Sequence, residues 1–217
     1  MIEQTTMRVN IQPGKCCGVR RGRNSNSMRG FSLLEMVTVL SILLIVTRIA
    51  FVSYPQLMAS IRVNNAFNTT LTTMRQAREK AIAERRIYTV TFTAPGTLTV
   101  TQAATGTVIN TVTLPVDMSF ATQVGFPSPG PDGFGTGVNP FDLDINVAGG
   151  NGNPIYFYPD GSGRDLNGTI NNGVVYMCRP GEIGSSRAVS MWGATGRLKG
   201  WRLFPVPASG TYVWGLQ

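Results

Sequence analysis

Residues 31–54 read FSLLEMVTVLSILLIVTRIAFVSY, an apolar run whose only charges are Glu35 and Arg48. As an α-helix rising about 1.5 Å per residue it is about 36 Å long, enough to cross a hydrocarbon core of about 30 Å. A carboxylate at that depth costs about 2.5–3.5 kcal/mol on insertion scales, so Glu35 calls for a cationic partner. Arg29-Gly30 stands immediately ahead of the run. An ordinary secretory signal is cut after its apolar core, whereas a cut between Gly30 and Phe31 leaves the helix on the mature chain. That cut also frees an α-amino group on Phe31, four residues before Glu35 and on the same helix face.

Charge gives the run a direction. Residues 1–30 hold six basic side chains, Arg8, Lys15, Arg20, Arg21, Arg23 and Arg29, against Glu3 alone. The positive-inside rule therefore places this segment in the cytoplasm and the C-terminal part across the membrane. Arg48 lies about 26 Å along the helix from Phe31, near the far side of the hydrocarbon, where its side chain can snorkel to the headgroups. Beyond the anchor the charge alternates by region. Residues 58–86 carry six basic and two acidic side chains, 87–163 five acidic and no basic, and 164–217 six basic and two acidic. The folded part is expected to be electrically polarised.

The motif RGFSLLEMVTVLSILL resembles the class III signal of type IV pilins and type II secretion pseudopilins. The resemblance implies that a prepilin peptidase cuts after Gly30 and N-methylates Phe31. It also implies that Glu35 pairs with the N-terminal amine of a neighbouring subunit as the helices pack into a filament. Residues 1–30 are then a leader peptide and residues 31–57 a transmembrane and filament-core helix. Residues 58–217 become a periplasmic head of a protein held in the bacterial inner membrane by a single pass. A 30-residue leader is long for that family, and Met1, Met7 and Met28 are alternative starts.

With no His in the chain, Ser/His/Asp and Cys/His nucleophile systems and His metal sites are excluded. An enzyme is not expected, and no catalytic residue, cofactor or metal site is assigned. Cys16 and Cys17 lie in the leader, so its removal leaves Cys178 without a disulfide partner; Cys178 reads as a small buried apolar residue.

The helix continues past Pro55, a possible kink, as an amphipathic spine. In FNTTLTTMRQAREKAIAERR the apolar residues Phe67, Leu71, Met74, Ala77 and Ala81 recur at spacings of four and three, one helix face. Arg75/Glu79 and Lys80/Glu84 are i,i+4 pairs on its exposed side. From Ile87 the period becomes two, and IYTVTFT, LTVT and TVINTVTL, separated by APGT and AATG, predict a β-meander. Residues 124–154, dense in Gly and Pro, predict a surface loop, and strand signals return at IYFY, GVVYMC, RAVSMW and RLKGWRLF. The expected fold is α+β: a long N-terminal helix, spiral to about residue 86, packed on antiparallel β-sheet over 87–217. The combination LTTMRQAREKAIAERRIYTVTF with the later IYFYPDGSG and SRAVSMWGATGRLKGW resembles the GspH/FimT branch of minor pseudopilins. In that branch a helix ending of this type leads into a strand and a Gly-Arg pair closes the sheet.

Two stretches carry candidate binding chemistry. In YPDGSGRDLNG, Asp160, Ser162 and Asp165 supply oxygen atoms, but the spacing and the closing Glu of a calcium loop are missing, so a Gly-rich β-turn is the better account. Asp142 and Asp144 read as solvating their loop. In GATGRLKGWR, strand alternation puts Arg197, Lys199 and Trp201 on one face, two cations and an aromatic that could hold phosphates and stack on a base. DNA-uptake members of the FimT branch carry a Gly-Arg-x-Arg motif; Gly196, Arg197 and Lys199 resemble it with Lys in the last place, which keeps the charge but loses the bidentate fork. Arg202, with Arg164, Arg179 and Arg187, would extend the patch. Two functions stay open on this evidence. One is a minor pilin or pseudopilin subunit in a type IV pilus or type II secretion filament, partnered by the peptidase, sister subunits and the inner membrane. The other is a DNA-receptor minor pilin binding double-stranded DNA in natural transformation, set against a plain edge strand kept soluble by its charges.

Overall fold

The computed structural model describes residues 30–143, 154–207 and 209–217. Residues 1–29 of the expected leader 1–30, with Cys16 and Cys17, and the loop residues 144–153, with Asp144, lie outside the described residues. Helix α1 spans Leu33–Glu84 without interruption at Pro55. By internal contacts the chain divides into two units, Met1–Arg48 and Ile49–Gln217.

In the second unit α1 meets, among the described residues, ten strands in two antiparallel sheets. The first contains β1 (Tyr88–Thr93), β2 (Thr97–Gln102), β3 (Val108–Thr113), β5 (Ile155–Phe157) and β6 (Gly163–Arg164), in the order β3-β2-β1-β5-β6. The second contains β4 (Phe141–Asp142), β7 (Gly173–Arg179), β8 (Glu182–Trp192), β9 (Arg197–Pro205) and β10 (Tyr212–Leu216), in the order β10-β9-β8-β7-β4. The chain is α+β.

The spine face read from the sequence is the buried one. Phe67, Leu71, Met74, Ala77 and Ala81, joined by Val63 and Ala66, enter one core with Val90, Phe92, Leu98, Val100, Val189, Met191 and Leu198 from the two sheets. Thr70 also lies on this face and is fully buried; its hydroxyl donates to the Ala66 carbonyl at 2.9 Å, so no polar group is stranded. The Phe67 ring sits where a Cβ on Gly200 would be, 2.2 Å from its Cζ, so the helix approaches β9 as closely as it does only because position 200 has no side chain.

Because strand side chains alternate, β7 and β8 give Val175, Met177, Val189 and Met191 to this core and turn Val174, Tyr176 and Ala188 to the opposite face. There Phe126, Trp201 and Trp214 pack over them. The Gly/Pro-rich stretch after 124 is therefore more than a surface loop. Its described half forms a short 3-10 turn at Pro131–Gly133 and strand β4, and it buries Pro131, Phe134 and Leu143. The sequence also gave no strand for β10, which pairs with β9 from Tyr212↔Pro205 to Leu216↔Trp201.

Candidate functional site: apolar helix and basic strand

Among the described residues nothing packs on the N-terminal part of α1. Leu33–Phe51 has a mean hydropathy of 2.1 and is unburied throughout, so it is long and apolar enough to cross a membrane. Ser41 and Thr47 turn their hydroxyls back on the carbonyls of Val37 and Leu43 at 2.8 and 2.7 Å, which keeps these polar groups satisfied inside the helix itself. Glu35 sits in the first turn, where a carboxylate complements the helix dipole. Among the described residues no cation forms an ion pair with it. Gly30 and Phe31 precede α1 and are exposed.

At the other end of the chain, the four residues Arg197, Lys199, Trp201 and Arg202 do not form one basic surface. The register Ser190↔Lys199 and Ala188↔Trp201 puts Lys199 and Trp201 on the sheet face away from the helix, as alternation requires. There the 3-10 turn brings in Asp132, whose left-handed backbone (φ 57°) aims its carboxylate at the strand. Lys199 Nζ lies 2.5 Å from Asp132 Oδ1, and Ser190 Oγ donates to Oδ2 at 2.6 Å. The ammonium also sits 5.8 and 5.7 Å from the ring centroids of Trp192 and Trp201, and Trp201 Nε1 donates to Ser190 Oγ at 2.9 Å. Burial raises the Asp132 carboxyl pKa, but the bonds from Lys199, Ser190 and Trp192 outweigh it and hold the pKa below the ordinary value. Lys199 is thus an internal counter-ion that fastens the Gly/Pro-rich segment to the sheet.

Arg202 falls on the other face, opposite Arg187, with its guanidinium 5.3 Å from the Phe204 ring centroid. Arg197 is exposed and lines a cavity with Arg75, Arg78 and Thr195. The remaining arginines are dispersed. Arg164 pairs with Asp160 at 2.7 Å and lies 4.6 Å from the Tyr158 ring centroid, Arg179 pairs with Glu182 at 3.2 Å, and Arg187 is buried.

Asp160 and Asp165 work within their own turns. Ser162, through its hydroxyl and its backbone amide, is the main cause of an Asp160 pKa held down to about 2, with Arg164 adding to it. Asp165 Oδ1 accepts from the amides of Asn167 and Thr169. The Asp142 carboxylate accepts from the Thr136 backbone N–H at 2.6 Å. Among the described residues no cluster of three His, Cys, Asp or Glu side chains has metal-binding geometry. Cys178 is buried and free, and burial pushes its thiol pKa up.

The sequence did not assign Arg78 a role, yet it ties three segments together. Its Nε donates to the Gly161 carbonyl at 3.0 Å and its Nη2 to the Thr195 carbonyl at 2.9 Å, joining the helix to the turns after β5 and β8. Gly196, at φ 59°, completes the junction: a Cβ there would stand 2.0 Å from the Gly161 oxygen and 2.7 Å from Arg78 Nε. The helix Arg and the late Gly-Arg pair are structurally coupled in this chain, although 118 positions separate Arg78 from Gly196.

No family model and no curated relative matches the chain. Among solved structures it is similar to the type IV minor pilin FimU of Pseudomonas aeruginosa strain PAO1, at 12% identity and a TM-score of 0.41, over 63% of this chain and 85% of that one.

Proposed function

We propose that the protein is a minor pilin or pseudopilin subunit, cut by a prepilin peptidase between Gly30 and Phe31, methylated on Phe31, and built into a type IV pilus or type II secretion pseudopilus. The observation that carries this reading is the bare apolar helix: Leu33 is 82% exposed, Leu44 68% and Phe51 76%. A helix apolar on every side needs a bilayer or other helices around it. A filament supplies both in turn, the inner membrane before assembly and sister helices after. Glu35, without a cation among the described residues, fits the second environment, where the amine of a neighbouring Phe31 neutralises it. The head, residues 58–217, faces the periplasm in this reading.

The test is Glu35→Ala in cells with a working assembly machine. Membrane insertion and leader removal are expected to stay near wild type while the amount recovered in sheared filaments falls severalfold. Wild-type incorporation of Glu35→Ala would refute the pairing.

A DNA-receptor role in natural transformation is the second reading. It draws on Arg197, Lys199, Trp201 and Arg202, but Lys199 is spent on Asp132 and Arg202 lies on the opposite sheet face. Arg197, beside Arg75, is the cation that speaks for it.

A further inference from the structure

We propose that the cleft between α1 and strands β8 and β9 is an oxyanion site in which Arg187 and Arg202 together hold a phosphate group. The two arginines are direct cross-strand partners, and both line a cavity of about 340 Å³ whose wall also includes Ser60 of α1, Ser185 of β8 and the Arg179–Glu182 ion pair. Arg187 is 4% exposed, and among the described residues no carboxylate lies within ion-pair distance of it. Its hydrogen bonds go to neutral acceptors: Nη1 to the carbonyls of Ser185 and Ser186 at 3.3 and 3.0 Å, and Nη2 to Asn64 Oδ1 at 3.3 Å. Nε is buried with no acceptor.

Burying a cation without a counter-ion costs several kcal/mol, and a second cation opposite it adds to that cost. Burial and the facing Arg202 push the Arg187 pKa down to about 10. The carboxylates nearby are already engaged. Asp117 takes Arg62 at 3.1 Å and Arg179 at 3.8 Å, and Glu182 takes Arg179 at 3.2 Å. Arg187 and Arg202 are left side by side on the cavity wall, and a group with two or more anionic oxygens relieves both at once, which is the geometry guanidinium forks favour. Phosphate reaches this cleft either free in solution or on a lipid headgroup, since Ala59 on the cavity wall is only eight positions past Phe51, the last residue of the apolar span.

The experiment uses the full chain. In nonionic detergent micelles, unfolding is followed by tryptophan fluorescence while inorganic phosphate is titrated against chloride at matched ionic strength. In a second arm the protein is placed in nanodiscs of phosphatidylcholine alone or with phosphatidic acid. Phosphate is expected to raise the wild-type midpoint, the rise becoming linear in the logarithm of phosphate concentration above the dissociation constant. Arg187→Met and the exposed Arg202→Gln are expected to weaken apparent binding at least tenfold. Because Arg202 is on the surface, its variant keeps the test open should Arg187→Met fold poorly. A response in the phosphatidic acid arm identifies the headgroup as the source, and a response confined to the micelle arm identifies free phosphate. No phosphate-specific rise of the wild-type midpoint in either arm, or an undiminished response of Arg202→Gln, overturns the proposal.

Discussion

Replacing Lys199 with methionine keeps most of its length but strips the cation from Asp132. The Asp132 side chain is 8% exposed and that of Lys199 23%, so this ion pair is largely out of water. Removing one partner of a fully buried pair costs about 3–5 kcal/mol, because the other charge stays behind unpaired. Ser190 still donates to Asp132 in the variant and the ammonium site is partly wet, which brings the expected loss to about 2–3 kcal/mol. Adding Asp132→Asn removes the stranded charge, and the double variant is expected within about 1 kcal/mol of wild type, a coupling of about 2 kcal/mol. Urea unfolding by tryptophan fluorescence reports the site directly, since Trp192 and Trp201 flank the ammonium. The pH dependence has a definite sign. Asp132 has a lowered pKa in the fold, so its stabilising contribution is complete above its ordinary value of 3.8 and disappears as the pH falls through the lower folded value. The gap between wild type and Lys199→Met is therefore steady from pH 7 to about 5 and closes in stronger acid. A loss below about 0.5 kcal/mol with no coupling to Asp132 would refute the internal counter-ion account and return Lys199 to the surface as a free cation.

Gly196→Ala is expected to destabilise the second unit by about 2 kcal/mol or more, since it combines a left-handed backbone with a collision at the Gly161 carbonyl; the same urea titration measures it. DNA binding, read by fluorescence anisotropy at two salt concentrations, is expected to be weak and no more sensitive to Lys199→Met than to a neutral surface change. Any binding present should fall with Arg197→Ala and with Arg75→Ala, which share a cavity wall, whereas a selective loss in Lys199→Met would restore the basic-strand reading.

The parts of the fold legible in the sequence are those set by local period. The spacing of Phe67, Leu71, Met74, Ala77 and Ala81 marks the buried helix face, and two-residue alternation marks β1, β2, β3 and the four strands later named β5, β7, β8 and β9. Alternation also puts Lys199 and Trp201 together, and it puts Arg202 on the opposite face; grouping Arg202 with them ran against that rule. What period cannot supply is a partner from a distant segment. Asp132 lies 67 positions before Lys199 in a Gly/Pro-rich stretch whose composition signals a loop, and only the fold of that loop over the sheet turns an exposed cation into a half-buried ion pair. Arg187 escaped for a related reason: in sequence it is one more basic residue on a strand, and its burial against α1 arises from the packing of three elements. The processing motif proposed at Gly30, Phe31 and Glu35 needs no distant partner to be recognised, since it lies within six consecutive residues.

The mature N-terminus is the most direct test of the assembly account. Intact-mass and peptide mass spectrometry of the protein from the membranes of cells with an active prepilin peptidase is expected to show a chain beginning at Phe31, with one methyl group on its α-amine. A chain that retains residues 1–30 in those cells, or one cut after the apolar run so that Phe31–Tyr54 is lost, would contradict it.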